Sequence, residues 1–345
     1  LSRAGQWFAR SGIQESSGGV ARYYRSDLQR NLPVSTEITG YAVSYLLCLG
    51  DPNAALKAAC FLNRAWDGKA MPFETGPSPE GSYTYFFDCG IIVRGLLAAW
   101  RHSGKSELLD TAVAVGESMA MDFPDSDSAF HPILKLPDKK PVERDPLRWS
   151  RSAGCYQLKS ALAWLELSEA TGNRLLAQCY QRALEGALPK YGSFLPGHPD
   201  PVKVVDRLHP FLYFLEGLLP RAADPRCAAA LCDGIVRVGS YLADPAPHFE
   251  RSDVYAQFLR VRLYADWAGV VPLDTLAAER EAANLAAFQA ASSDPRIDGG
   301  FYFGRQYGAW MPYVNPVSTG FAVQALSLWD LHRSGDVPAT WQQLI

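Results

Sequence analysis

Hydrophobic positions along the chain fall into two alternating styles of segment. Six segments are apolar on nearly every side and rich in Gly, Ala, Leu and aromatic residues: Thr36–Gly50, Tyr85–Gly104, Arg151–Gly172, Leu208–Arg221, Ser252–Gly269 and Ser318–Gly335. A helix that is apolar all round is one that is covered all round. Five of the six end at a Gly, the residue that stops a helix in the left-handed conformation. Between them lie amphipathic, Ala-rich segments: Pro52–Trp66, Glu107–Phe123, Arg174–Leu188, Pro225–Leu242 and Asp274–Ala291, with a shorter one, Leu1–Arg10, ahead of the first apolar segment. Asp51-Pro52 and Asp224-Pro225 open two of these with a cap followed by a first-turn proline. The pattern predicts six pairs of helices, each pairing a covered inner helix with a half-exposed outer one.

Equivalent points in the apolar segments, Thr39, Asp88, Ala153, His209, Val254 and Thr319, recur at intervals of 45 to 65 residues. Each interval holds two helices, one short turn and one longer loop. The short turns, such as Gly50-Asp51, follow the inner helices, so the long loops gather at the inner helices' N-terminal ends. An open solenoid has shorter periods, about 34–47 residues, and amphipathic helices throughout. The expectation is therefore an all-α (α/α)6 toroid forming one domain over 1–345, with repeats at roughly 1–50, 51–104, 105–172, 173–221, 222–269 and 270–335 and a short tail at 336–345.

One internal match stands out. Gly18-Gly19-Val20 leads to Ser35-Thr36-Glu37-Ile38-Thr39-Gly40-Tyr41, and Gly299-Gly300-Phe301 leads to Ser318-Thr319-Gly320-Phe321. The Gly pair precedes the helix Gly by 22 residues in the first case and 21 in the second. Shorter Gly–aromatic loops recur at Gly68–Phe73 and Gly192–Phe194.

Composition narrows the function classes. The 345 residues are 48% hydrophobic and 20% charged, enough for a large core. The net charge is −3 with no basic block, so neither a nucleic-acid surface nor an anionic-membrane surface is indicated, and no apolar run approaches the length of a membrane span. The seven Cys are odd in number and form no C-x-x-C, which favours buried thiols in a reducing compartment over a disulfide frame or a zinc site. No cofactor and no metal are expected. No signal-peptide pattern is present, and a cytoplasmic protein is expected, a removed targeting segment apart. Oligomeric state is left open.

The alternation of helices, the Gly299-Gly300-Phe301 type of loop and helix starts such as Thr39-Gly40-Tyr41 resemble the six-hairpin glycosidase superfamily and its α/α-toroid relatives. The resemblance covers roughly residues 1–335 and is architectural. It implies a carbohydrate-active enzyme, since the superfamily includes glycoside hydrolases, unsaturated uronyl hydrolases, sugar epimerases and polysaccharide lyases. Terpenoid cyclases share the toroid, but their Asp-x-Asp-Asp run is matched only in part by Asp125-Ser126-Asp127-Ser128. Lanthionine cyclases need a Cys/His zinc set that is absent. Sugar 2-epimerases use paired His, and of the six His only His209 stands at an expected inner-helix start. The stretch Ala309–Leu331 is loosely similar to uronyl C5-epimerase helical domains.

Helix N-termini carry unpaired N–H groups and a positive dipole end, and they suit carboxylates and anionic ligands. Glu37 and Asp88 fall in the first turns of the first two inner helices. Packed helices lie about 8–10 Å apart, so these carboxyls are expected to face each other at a separation suited to glycosidic acid/base work, about 5–9.5 Å. His209 is a third catalytic candidate. Arg148 and Arg151 flank Trp149 and would match a uronate carboxylate bidentately. Asp253 and Tyr255 begin the fifth inner helix, and Tyr83, Trp310 and Tyr313 are among the aromatics that would stack on the apolar faces of sugar rings. The substrate-binding set is thus Arg151, Trp149, Asp253, Tyr255, Trp310, Tyr313 and Tyr83, for a sugar or oligosaccharide. A toroid that binds glycans or serves as a scaffold without chemistry is the alternative from a different class.

Overall fold

The computed structural model describes residues 2–75, 81–125, 129–195, 200–243, 248–337 and 340–345. Asp127, in the acidic run considered above, and His198 lie outside the described residues. Twelve α-helices occur among those described: α1 (Ser2–Arg10), α2 (Thr36–Cys48), α3 (Pro52–Ala65), α4 (Phe86–Ser103), α5 (Ser106–Asp122), α6 (Gln157–Thr171), α7 (Arg174–Ala187), α8 (Pro201–Leu218), α9 (Pro225–Leu242), α10 (Ser252–Trp267), α11 (Thr275–Ala286) and α12 (Pro316–Arg333). No disulfide forms among the described residues. None of their helices is long and apolar enough to cross a membrane.

The two helix styles read from the sequence are two burial patterns in space. Residues Gln157 to Leu167 of α6 and Ser252 to Val261 of α10 are buried without interruption. In α9 the buried positions are Cys227, Ala230, Leu231, Gly234, Ile235 and Val238, one stripe at helical spacing. The inner helices α4 and α6 end on Gly104 and Gly172 at φ 71° and 73°, a left-handed backbone that residues with a side chain rarely adopt. The cap N–H of each closes onto the carbonyl four residues back, Trp100 and Ser168.

The described residues group into two compact units. One comprises residues 1–13, 23–32 and 191–345, with α1 and α8 to α12; the other comprises residues 14–22 and 33–190, with α2 to α7. In the second unit the inner helices α2, α4 and α6 pack side by side, each carrying its outer helix α3, α5 or α7. Glycines set how close they come. A methyl at Gly95 of α4 would lie 2.5 Å from the Gly40 carbonyl oxygen of α2, and one at Gly90 would lie 2.5 Å from Ser160 Cα of α6. In the first unit α10 packs between α8 and α12, and α1 is tied to the loop before α12 by Arg3 Nη2 on the Ala290 carbonyl at 2.8 Å and Trp7 Nε1 on the Arg296 carbonyl at 2.9 Å.

Two helix starts differ from the sequence expectation. The fourth inner helix begins at Pro201, not Leu208, because Asp200 caps it, its carboxylate accepting the Val202 N–H at 2.9 Å. Asp200-Pro201 is the same start signal as Asp51-Pro52, and the helix then runs through Pro210. The third inner helix begins at Gln157; Trp149–Arg151 form a separate 3-10 turn, broken from it by extended Ser152. The loops also hold small antiparallel sheets that the helical pattern did not announce. Tyr83–Tyr85 pair with Ile133–Lys135, and Phe249–Arg251 pair with Gly304–Gln306. Each pairing feeds directly into an inner helix.

Candidate functional site

In the second unit, the N-terminus of α2 is built by two loops. Ser35 caps the helix, Thr36 N–H donates to the Phe73 carbonyl at 3.1 Å, and Thr36 Oγ1 donates to the Pro72 carbonyl at 2.7 Å. The loop carrying Phe73 and Glu74 is thereby laid across the helix start. The start of α4 is fixed by the Tyr83–Tyr85 strand and by Phe86 N–H on the Pro132 carbonyl at 3.0 Å. Close packing at Gly40 and Gly95 then brings Glu37 and Asp88 within electrostatic reach of each other.

Asp88 is 6% exposed, and its Oδ2 is buried without a hydrogen-bond partner among the described residues. Burial pushes its carboxyl well above the ordinary carboxylate range, the charge of Glu37 pushes it further, and Arg22 opposes both. Glu37 keeps some exposed surface, yet its carboxyl is ringed by protein. Desolvation raises it to about 7, with Arg22 pulling it back. The two groups titrate as a pair in which ionising one disfavours ionising the other. Tyr85, at the cap position of α4, is pushed up to about 12 by burial and by Asp88, while Arg22 and Arg151 act to lower it. Arg22 lies over the Phe73 ring at 5.1 Å and pairs with Glu74 at 3.4 Å. Trp149 meets Tyr156 edge-on at 5.2 Å, and Tyr83 is half-buried on the strand leading to Tyr85.

The first unit holds a second polar centre. His209, 8% exposed, sits in the third turn of α8, not at its start, and reaches α10 from there. Its Nδ1 is 2.6 Å from Gln257 Oε1 and 3.5 Å from Asp253 Oδ2. Both facing atoms are acceptors, which assigns the ring proton to Nδ1 and leaves the lone pair on Nε2. Burial lowers the His209 pKa, against the pull of Asp253, so the ring is neutral at neutral pH. Asp253 is held ionised by a bidentate pair with Arg251 at 3.0 and 2.7 Å, and Arg251 also reaches Asp206 at 2.6 Å. Arg251 stacks on Phe303 at 4.5 Å. The Gln257 Nε2 is buried without a partner among the described residues.

The other first-unit candidates divide. Tyr313 packs edge-on against Tyr23 at 5.1 Å, under the guanidinium of Arg25. Trp310 lies on an exposed hairpin, stacked on Tyr302 at 5.2 Å. Tyr255 donates to Glu250 Oε1 at 3.1 Å and belongs to the Glu250–Arg305 network. A cavity of about 910 Å³ in the second unit is lined by Trp66, Lys69, Glu117, Asp122 and Lys139 among others, and by none of the predicted site residues. The sequence pattern does not single out Arg22 or Gln257, and it marks Tyr85 only as one of the loop aromatics and Arg251 only as the neighbour of Asp253. Arg22 and Arg251 both precede an inner helix, and a basic residue ahead of a helix-start acid was the available signal. No group of three or more metal-ligating side chains gathers among the described residues.

No family model and no curated protein matches the sequence. Solved structures do match the fold. A cellobiose 2-epimerase of Bacillus thermoamylovorans superposes with a TM-score of 0.68 at 12% identity, covering 93% of this chain and 95% of its own. An α-amylase of Clostridium perfringens gives 0.65 at 12% identity, covering 94% and 96%. An inactive variant of an α-1,6-mannanase of Salegentibacter, in complex with α-1,6-mannotetrose, gives 0.59 at 10% identity, covering 94% and 98%. The fold is an (α/α)6 toroid, as in these structures. At these identities the likeness is one of fold alone.

Proposed function

We propose that the chain is a carbohydrate-active enzyme, a glycoside hydrolase in which Glu37 and Asp88 are the acid/base pair. The observation that carries this reading is the coupling of two desolvated carboxyls on adjacent inner helices, one with an unpartnered oxygen. Glycosidic cleavage needs one carboxyl protonated and one ionised. Asp88, the more strongly shifted, keeps its proton at neutral pH and serves as the acid on the leaving oxygen. Glu37, near 7 and facing Arg22, supplies the ionised partner. Tyr85, Trp149 and Tyr83 offer phenol and ring surfaces for sugar hydroxyls and C–H faces. The sugar-acting enzymes among the fold neighbours support the substrate class.

A second reading rests on His209. A neutral imidazole whose Nδ1 proton is held by Gln257 and Asp253 is of the kind that can act as a base for a carbon-bound proton, the chemistry of an epimerase or isomerase. Product analysis in deuterium oxide on a panel of neutral and acidic oligosaccharides separates the two. Hydrolysis creates new reducing ends and leaves C–H bonds intact; epimerisation exchanges a C–H for deuterium and creates none. New reducing ends lost in Glu37→Gln support the first reading, and deuterium incorporation lost in His209→Gln supports the second.

A further inference from the structure

The cavity of about 910 Å³ in the second unit takes no part in the chemistry proposed above. Its volume falls within the range of small-ligand sites, about 300–1,000 Å³. Three elements wall it. Helix α5 contributes Glu117 and Met121, the loop after α3 contributes Trp66, Lys69 and Ala70, and the hairpin of Ile133–Lys135 with Lys140–Pro141 contributes Leu136. These walls are fixed without a ligand. Asp67 Oδ1 accepts the Lys69 and Ala70 N–H groups at 2.8 and 2.7 Å, which locks the loop. Asp122 accepts Ser118 Oγ at 2.6 Å and Lys139 Nζ at 2.5 Å, which ties the hairpin to α5. Trp66 is held at the end of α3, its backbone N–H on the Leu62 carbonyl at 3.2 Å.

Trp66 differs from the tryptophans of the core. Trp7 donates its indole N–H to the Arg296 carbonyl at 2.9 Å, and Trp164 donates to the Gly116 carbonyl at 2.8 Å; their rings pack on Phe8 and Phe86. Trp66 is half-buried, yet among the described residues its ring meets no other ring or cation and its indole N–H has no acceptor. An indole with a free face and a free donor suits a sugar, whose C–H face lies on the ring plane and whose oxygens accept the N–H. Lys69 and Glu117 are exposed on the same cavity and form no ion pair among the described residues. They offer one positive and one negative charge. A charged ligand would gain one of them and meet the like charge of the other. A neutral polyhydroxy ligand uses both, since a hydroxyl donates to a carboxylate and accepts from an ammonium.

We propose that this cavity is a second carbohydrate site, separate from the Glu37–Asp88 pair, which seats a neutral glycan with one sugar ring on Trp66 and hydroxyls on Glu117 and Lys69. Its position suits a longer chain. Pro72 lines the cavity, and its carbonyl accepts Thr36 Oγ1 at 2.7 Å at the start of α2. A glycan held on Trp66 therefore lies beside the loop that borders the residue next to Glu37.

Nitrogen-edited NMR titration of the whole chain tests this. The Trp66 indole resonance is the one of nine tryptophan signals absent from Trp66→Phe. The probes are cellopentaose, maltopentaose and mannopentaose, with pentagalacturonate as the anionic comparison and 1-hexanol as the apolar one. At least one neutral pentasaccharide is expected to shift the Trp66 signal saturably, while the two comparison compounds leave it in place at the same concentration. Glu117 is exposed, so Glu117→Ala keeps the fold, and it is expected to weaken that titration about tenfold. A Trp66 signal that no neutral pentasaccharide moves, one that pentagalacturonate or hexanol moves as strongly, or a titration unchanged by Glu117→Ala overturns the proposal. The readout does not depend on turnover, so a hydrolase with an idle cavity and a glycan-binding chain without activity at Glu37 give different results.

Discussion

Thr39 and Thr319 hold the same place in two copies of one loop-to-helix unit. Thr39 Oγ1 accepts the Val20 N–H at 2.9 Å and donates to the Ser35 carbonyl at 2.7 Å; Thr319 Oγ1 accepts the Phe301 N–H at 2.9 Å and donates to the Asn315 carbonyl at 2.8 Å. The preceding glycines are equally matched. A methyl on Gly18 would lie 2.3 Å from the Lys57 carbonyl oxygen, and one on Gly299 would lie 2.3 Å from that of Arg3. Gln14 and Gln289 reach the carbonyls of Gly18 and Gly299 at 3.2 and 3.0 Å. Replacing either Thr by Val keeps the shape and strands a buried N–H. Thr39→Val and Thr319→Val should each lower unfolding free energy by about 1–3 kcal/mol, read by urea denaturation. Unchanged midpoints would mean that the hydroxyls do not anchor these loops.

In this alignment Glu37 corresponds to Val317, two residues before the shared Thr. The unit folds with or without an acid there, so the acid is not a requirement of the helix start. Glu37→Gln and Asp88→Asn should each keep the melting temperature within a few degrees and reduce turnover by about 10²-fold or more. Full activity in both variants on the substrate that the panel identifies would remove the pair from the chemistry.

The same carboxyls make stability depend on pH with a definite sign. Glu37 is raised in the folded protein from 4.5 to about 7, and Asp88 is raised as well. Below the unfolded value both states hold the proton and nothing is lost. As pH climbs through 7 the folded state must give up a proton that it binds more tightly than the unfolded chain does, so this contribution is lost. Wild type should therefore lose stability against Glu37→Gln between about pH 4.5 and pH 8, as followed by thermal melts. A difference that grows towards acid pH would contradict the direction of the shift.

Much of the fold was legible because it is written in burial. The inner helices announce themselves by lacking a polar face, and Gly104 and Gly172 mark ends that the backbone confirms at positive φ. The apolar run that marks the fourth inner helix begins only at Leu208, whereas the helix start is set by Asp200-Pro201, ahead of that run. The site was legible at its acids and not at its cations. Glu37 and Asp88 stand out as charges in apolar helices, whereas Arg22 lies in a loop whose path across the α2 start depends on long-range pairing. The partnership of His209 with Gln257 spans 48 residues and two helices, and no periodicity encodes it.

Buried ion pairs between inner helices recur away from the helix starts. Arg260 and Glu216 are both fully buried and 2.6 Å apart, and Arg260 also donates to Gln324 Oε1 at 2.9 Å. Arg260→Met leaves the Glu216 carboxylate buried without its counter-ion and should destabilise by about 3–5 kcal/mol. Adding Glu216→Leu should restore most of that loss, as measured by a double-mutant cycle in guanidinium chloride. Equal destabilisation by the single and double variants would show that packing, and not charge, dominates the site.

The last prediction ties helix packing to the carboxyl pair. Gly95 of α4 faces the Gly40 carbonyl of α2, where an added methyl would lie 2.5 Å from the oxygen and 3.2 Å from Gly40 Cα. Backbone on both sides leaves no flexible side chain to move aside, so Gly95→Ala must push the two helices apart. Overpacking of this kind costs about 1–3 kcal/mol. Glu37 and Asp88 ride on the same two helices, so their separation should grow with the helix spacing. A wider gap weakens the repulsion that helps hold the Asp88 proton, and the upper pH limit of activity should move down. Gly90→Ala is the matched control, since it presses α4 against Ser160 of α6 and not against α2. It should destabilise comparably while leaving the Glu37–Asp88 coupling in place. The readout is the pH profile of kcat/KM for the two variants beside wild type. Identical profiles in all three would show that the spacing of α2 and α4 does not set the acid/base pair.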